Sequence, residues 1–433
     1  MVFQMELRQF MPQGVEDTHS DSFEIKERTI TKFKNVCKGH GYRQILTPTF
    51  EYYDLFSGLE GTINKDKMFK LIDSDGKILV LRPDVTTPIA RMVATNYKMF
   101  SGYLKFSYAA NVFRINDEQC GKKREFTQAG IEYLGDGKPD SDAEVISVAI
   151  KSLMKCGIEE FQIDLGHAGF FKGLVNESGI SEAEKNHLKS LVENKNFGEL
   201  CLLLDQCSIS EEYREALCEL PYLFGCPEEV LKKAEKLVCN QEMLNSIQNL
   251  KNVYTILCDY GYKQYLSIDL GMINHINYYT GLIFKGYVNN YGKAVISGGR
   301  YDNLSKQYGH YLPATGFGLN IDELLEAMKM YKLKDDFICY TDYLILYDEA
   351  DRKKGFEMAS VLREKGFIVE SDKHEMDLKK HIQNASSRNV KEILQITSDR
   401  VKVIDIRGNQ LYISTISQFL KSIDQVDLLV SIH

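Results

Sequence analysis

The residues whose types and spacing could do chemistry concentrate between Ser267 and Asp302, in SIDLGMINHINYYTGLIFKGYVNNYGKAVISGGRYD. Its tyrosine-rich lead ends at Tyr278 and Tyr279, and its exit is Gly298-Gly299-Arg300-Tyr301-Asp302. Paired glycines beside a strand let backbone approach another group closely, although a sheet edge with a tight exit gives the same pattern. A second candidate is the pair Arg114 and Arg124, which flank a polar loop between two apolar runs. Two guanidinium groups held against a sheet suit an anion; a solvated hairpin loop is the alternative. Metal chemistry finds no support, because the five cysteines between Cys201 and Cys239 never form C-x-x-C and the histidines show no H-E-x-x-H spacing. No metal and no cofactor is expected.

The elements that must position these residues are legible from periodicity. Runs 282–288 and 294–297, separated by Asn289, Asn290 and Gly292, form an antiparallel hairpin. Helical spacing over 20–40 is stopped by Gly39 and Gly41, and a strand over 42–48 ends at Pro48. Asp75-Gly76 turns a hairpin between 68–72 and 78–81. Strands over 103–113 and 126–134 precede a helix over 140–155 and a strand over 161–165, and 170–262 is nearly all helical. Gly316-Phe317-Gly318-Leu319 leads into a helix that runs to Met330. Beyond it, short strands at 343–347, 367–370, 392–397 and 401–405 alternate with helices at 351–365 and 378–387, the pattern of a small α/β domain. The organisation expected is therefore one domain over 1–332 with a helical insertion at about 170–262, and a second over 341–433.

Composition narrows the class. Of 433 residues, 44% are hydrophobic and 26% charged, as in ordinary globular proteins, and a net charge of -8 argues against a nucleic-acid binder. Glu6 and Arg8 interrupt the N-terminal segment where a signal peptide needs an apolar run, no later run is long enough to span a bilayer, and the thiols suit a reducing compartment, so a cytoplasmic location is expected.

Taken together, the motifs resemble those of class II aminoacyl-tRNA synthetases of the histidyl type over nearly the whole chain. The segment with Pro48 resembles the family's dimer-interface motif, and RPDVTTPIAR (82–91) its amino-acid-binding segment. Phe113-Arg114 through Gln128 and Glu132 resembles the second motif, Asn274 to Gly281 the histidine-specific segment, and GGRYD is shared. The resemblance implies an α+β fold: an antiparallel sheet with flanking helices, the helical insertion and the small C-terminal domain. It also implies a ligand pocket that includes Asp84, Val85, Thr86, Gln128, Glu132, Asn274, Tyr278 and Tyr279, in which Asp84, Thr86 and Gln128 hold an α-amino group and Glu132 and Tyr279 face an imidazole. Arg114 survives from the nucleotide side. A hydrogen-bonded support inside the sheet is the alternative role for each of these polar residues taken singly.

The departures matter more. Where the family has an arginine touching both substrates this chain has Asn274, and where it has an arginine clamping ATP phosphates this chain has Glu323. Asn116 and Asp117 replace a further glutamate and arginine. Exchanging a guanidinium for a carboxylate removes charge-assisted bonds and repels a polyphosphate. The pattern resembles the catalytically silent relatives that serve as regulatory subunits of ATP phosphoribosyltransferase. That resemblance implies a chain that is not itself an enzyme. Its partner would be the short-form catalytic chain at the first step of histidine biosynthesis, bound by a homodimer within a hetero-oligomer, with histidine as a ligand and possible feedback signal. A histidyl-tRNA synthetase, or a histidine-sensing paralogue without that partner, are the alternatives. The C-terminal domain, which many such relatives lack, is expected to be dispensable for regulation.

Overall fold

The computed structural model describes residues 11–58, 63–100, 102–115, 123–207, 209–273, 279–330, 341–374, 377–405 and 409–430. The chain divides into two compact units, Met1–Leu333 and Lys334–His433.

The first unit is built on a nine-stranded sheet. In chain order its elements are α1 (Ser20–Gly39), β1 (Arg43–Gln44), β2 (Phe50–Tyr52), α2 (Asp54–Ser57), β3 (Lys70–Ile72), β4 (Ile78–Leu81), α3 (Thr86–Asn96), β5 (Leu104–Phe113), β6 (Glu125–Leu134), α4 (Pro139–Lys155) and β7 (Phe161–His167). Then come α5 (Ala168–Glu177), α6 (Glu182–Glu193), α7 (Phe197–Gln206), α8 (Glu211–Glu219), β8 (Phe224–Gly225), α9 (Pro227–Ala234), α10 (Gln241–Asp259), β9 (Leu266–Asp269), β10 (Leu282–Val288), β11 (Ala294–Arg300), β12 (Ala314–Asn320) and α11 (Ile321–Met330). The sheet order is β1-β5-β6-β12-β11-β10-β7-β9-β8. Pairing is antiparallel except for β1 with β5 and β7 with β9. A separate sheet, β2-β4-β3, lies beside it in sequence.

The strands' period of two gives the large sheet distinct faces. Ala129, Ile131, Phe284, Ile296, Phe317 and Leu319 belong to a core that also holds Ile30 and Phe33 of α1, Ile146 and Leu153 of α4, and Leu250 and Leu257 of α10. Each of the Ile, Leu and Phe side chains, fully buried, is worth roughly 1.5–3 kcal/mol. Helix α1 forms because Thr29, Ile30, Phe33 and Cys37 fall on one buried face, and Gly41 beyond it has φ +81°, a left-handed conformation that glycine adopts freely. Helix α4 opens with Pro139 and carries Asp140 and Asp142 in its first turn, which suits the positive end of the helix dipole.

The opposite face of β6, β12, β11 and β10 carries Gln128, Gly130, Glu132, Gly316, Gly318, Asn320, Ser297, Gly299 and Lys285, and the register sets them in rows. Glu132 pairs with Gly316, Gly316 with Gly299, and Gly299 with Ile283. In the next row Gly130 pairs with Gly318, Gly318 with Ser297, and Ser297 with Lys285.

Three local expectations are corrected. The strand over 42–48 is only Arg43–Gln44, followed by one further bond from Ile45 N–H to Ser107 O at 2.9 Å. Beyond it the Arg82 guanidinium donates to the carbonyls of Thr47 at 2.6 Å and Pro48 at 3.1 Å, and Pro48 has no N–H with which to extend a ladder. Gly298 and Gly299 lie inside β11 rather than past its end. Gly316-Phe317-Gly318-Leu319 belongs to strand β12, and the helix starts only at Ile321.

The second unit has a five-stranded sheet in the order β14-β13-β15-β16-β17, from β13 (Thr341–Tyr347), β14 (Val369–Lys373), β15 (Val390–Thr397), β16 (Arg400–Asp405) and β17 (Gln410–Thr415). Helices α12 (Arg352–Glu364) and α13 (Leu378–Ser387) make the crossovers that keep β13, β14 and β15 parallel. The antiparallel edge strand β17 and helix α14 (Ile416–Val430) were not expected from sequence. Strand β17 is exposed along nearly its whole length, so it carries no alternation of apolar and polar residues to read.

Candidate functional site

Glu132 is the most deeply set charged residue of the site face, 1% exposed. Its carboxyl accepts a hydrogen bond from Thr86 Oγ1 at 2.7 Å and another from the Tyr301 hydroxyl. Burial pushes its pKa up to about 8, against the two hydroxyl donors that lower it, and nearby Asp84 adds to the rise. A carboxyl whose pKa lies near neutrality can be held protonated or ionised at small cost, which suits it to a ring nitrogen that can accept or donate.

Thr86 stands at the first position of α3, and Asp84, two residues before it, ties down the helix's first turn. The two oxygens of Asp84 take the Thr87 amide at 2.7 Å and the Thr87 hydroxyl at 3.2 Å. Burial raises its pKa, opposed by the Thr87 bonds and by Arg114. Arg114 donates from Nε to Pro83 O at 2.7 Å and lies 5.4 Å from the Phe126 ring centre. Gln128, two residues before Gly130, has a buried Oε1 without a hydrogen-bond partner among the described residues. Tyr279 is buried, and Lys172 Nζ donates to its backbone carbonyl at 2.7 Å.

Glycines make room for these groups. A Cβ at Gly316 would sit 2.0 Å from Glu132 Oε2, one at Gly318 2.0 Å from Gln128 Nε2, and one at Gly299 2.8 Å from the Tyr279 ring. The result is that Glu132, Gln128 and Tyr279 lie down against the sheet, Glu132 and Gln128 over the glycines of β12, and line a cavity of about 660 Å³. That volume falls in the range of small-molecule sites.

The cavity has two chemically different ends. Asp84, Thr86, Glu132, Tyr279 and Tyr301 line one; Lys123, Lys293, Asp322, Glu323 and Glu326 line the other. At the second end Glu323 holds Lys293 with both oxygens at 3.1 Å and accepts from the Tyr291 hydroxyl. Asp322 binds Lys26 at 3.1 Å, sits 3.6 Å from Lys123 and accepts from the Thr127 amide at 2.7 Å. These cations are already matched by carboxylates, which is a poor setting for a polyphosphate.

Arg300 and Asp302 of the glycine motif serve the fold. Arg300 is buried and makes a 3.0 Å ion pair with Asp142 of α4, a 3.1 Å pair with Asp302 and bonds to Asp136 O and Ser141 Oγ. Only Tyr301 turns into the cavity.

Of the residues expected at the site, Asp84, Thr86, Arg114, Gln128, Glu132 and Tyr279 line this one cavity. Val85 does not: it is buried in the apolar cluster with Ile89, Val93 and Tyr108 beneath α3. Asn274 and Tyr278 lie outside the described residues, as do Asn116 and Asp117. Sequence reasoning did not single out Tyr301, Lys285, Ser297 and Lys293 as cavity residues, nor assign the glycines of β12. For Lys285 and Ser297 the signal was the strand register, which places them on the face of Glu132.

Fold and cavity together define a protein of histidyl-tRNA synthetase type, and the histidyl-tRNA synthetase family model matches residues 14–324. Within that class, the chain belongs to the family of ATP phosphoribosyltransferase regulatory subunits. It is 37% identical over 414 residues to the regulatory subunit of Acetivibrio thermocellus, covering 95% of this chain and 99% of that one. It is 42% identical over 362 residues to that of Caldanaerobacter subterraneus, covering 83% and 93%. The solved structure of an ATP phosphoribosyltransferase regulatory subunit/histidyl-tRNA synthetase from Bacillus halodurans superposes with a TM-score of 0.79 at 31% identity, over 89% of this chain and 97% of that one.

Proposed function

We propose that this chain is a regulatory subunit without synthetase chemistry of its own, which binds histidine in its cavity and acts on the short-form catalytic chain of ATP phosphoribosyltransferase. The observation that carries this reading is the asymmetry of the cavity. At one end Glu132 accepts from Thr86 and Tyr301, with Tyr279 lining the same end, while Glu323 occupies Lys293 at the other. Adenylyl transfer needs cations aimed at phosphate, and the absence of one such donor costs on the order of a hundredfold in rate. The relatives' names supply the partner.

The working unit in this reading is a homodimer on which the hetero-oligomer is built. Leu46, Phe50 and Tyr52 expose large apolar side chains within seven residues, and a symmetric pair of subunits is the commonest way to cover such a surface.

Two measurements test the proposal. The purified chain should show no histidine-dependent exchange of pyrophosphate with ATP, and adding it to the short-form catalytic chain should raise phosphoribosyltransferase activity that neither has alone. Robust exchange would restore the synthetase reading. A catalytic chain indifferent to this one would leave a histidine sensor without that partner.

A further inference from the structure

We propose that Lys285 is the carboxylate-binding residue of the cavity, so that an amino acid lies across this face of the sheet with its side chain on Glu132 and its carboxylate on Lys285. The inference rests on the reading of the cavity as a histidine site and adds the group that selects the amino acid over its amine.

The cavity is lined by four cations besides the ends of its own hydrogen-bond networks: Arg114, Lys123, Lys285 and Lys293. Three are engaged. Arg114 donates to Pro83 O and lies near Asp84, Lys123 pairs with Glu16 and Asp322, and Lys293 pairs with Glu323. Lys285 makes no ion pair or hydrogen bond among the described residues, although it is half-buried in strand β10. Its cross-strand neighbour on β7 is Asp164, the natural partner by register. The Asp164 carboxyl instead takes the Gln162 amide at 2.6 Å and a bond from Ser267. A lysine that lines a cavity and is left without its counter-charge is a receptor for an anion.

The spacing fits an amino acid. Lys285 and Glu132 stand on the same face, three strand steps apart and one two-residue repeat along, with Gly299, Gly316, Gly318 and Gly130 among the positions between them. Strand spacing of about 4.8 Å and a repeat of about 6.8 Å put the two Cα atoms roughly 16 Å apart. Histidine spans about 6 Å from ring nitrogen to carboxylate, and two hydrogen bonds add about 3 Å each, so a modest lean of both side chains closes the span. Of the four glycines Gly316 and Gly318 line the cavity, and the groups seated on them are Glu132 and Gln128, the ones assigned to the ligand. Gln128 Oε1, buried and without a hydrogen-bond partner among the described residues, is available to accept from the α-amino group.

The test is calorimetry on the full-length chain with histidine and with histamine, which lacks the carboxylate. The wild type should prefer histidine by about tenfold or more, the range expected for one charge-assisted contact. Lys285→Met should bind histidine no better than histamine, with histamine affinity unchanged, and Lys285→Arg should keep most of the preference. Circular dichroism melts of both variants serve as the fold control, and unchanged histamine binding reports an intact imidazole end. If Lys285→Met keeps the full preference while Glu132→Gln abolishes binding, the cavity is a histidine site and Lys285 is not its carboxylate receptor. If the wild type binds neither compound at millimolar concentration, the histidine reading itself fails and this inference with it.

Discussion

Gly316 and Glu132 face each other across β12 and β6, and a methyl group on the glycine would lie 2.0 Å from the carboxyl oxygen of the glutamate. The carboxyl cannot retreat without giving up the Thr86 and Tyr301 hydroxyls. Gly316→Ala should therefore destabilise the chain by about 1–3 kcal/mol and abolish histidine binding. Gly292, in the β10–β11 turn with open space around it, provides the matched control, since alanine there should leave binding unchanged. Equal urea midpoints for the wild type and Gly316→Ala would contradict the contact.

Glu132 also makes stability depend on pH. Its folded pKa of about 8 lies above the ordinary value of 4.5, so the folded state binds the proton more tightly than the unfolded chain. The stability this contributes is complete below about pH 4.5, declines as pH rises from there, and is gone above about pH 8. Glu132→Gln keeps a neutral hydrogen-bonding group and should remove a slope of at most about 1.4 kcal/mol per pH unit across that window. Denaturant titrations of both proteins between pH 5 and 8.5 measure it, and parallel curves would show that Glu132 does not titrate differently in the two states.

The Arg300–Asp142 pair should behave as structure rather than recognition. Arg300→Ala leaves the fully buried Asp142 carboxylate facing no guanidinium, for an expected loss of about 3–5 kcal/mol. A variant that unfolded with the wild-type midpoint but no longer bound histidine would reverse that assignment.

The proposed homodimer can be tested at Phe50, which is 56% exposed. Phe50→Asp should shift light scattering from dimer to monomer at micromolar concentration, with little change in the melting of the isolated fold. A variant that stays dimeric would place the contact elsewhere.

How much of this was readable in the sequence follows from what each feature depends on. Helices α1 and α4 and the β10–β11 hairpin rest on local periodicity and turn chemistry, and their expected bounds agree with the structure to within a few residues. The class of fold was legible because several motifs recur together. Strand β12 was misread as the lead into a helix: Gly-Phe-Gly-Leu has poor strand propensity, and what holds it extended is pairing with β6 and β11. The role of Arg300 was equally hidden, since its partner Asp142 lies 158 residues away. Lys285 reads as an ordinary strand lysine until register sets it on the face of Glu132. Non-local pairing, not residue type, is the missing information in each case.

The glycines of β12 have a consequence for protein engineering. They let Glu132 and Gln128 lie flat against the sheet, so the cavity keeps its depth while those two side chains stay, whatever happens at the margin. Lys285, Lys293 and Glu323 line the cavity without touching those glycines. The preference for one small molecule over another can therefore be rewritten at a few marginal positions while the vessel, and the subunit that carries it, stays the same.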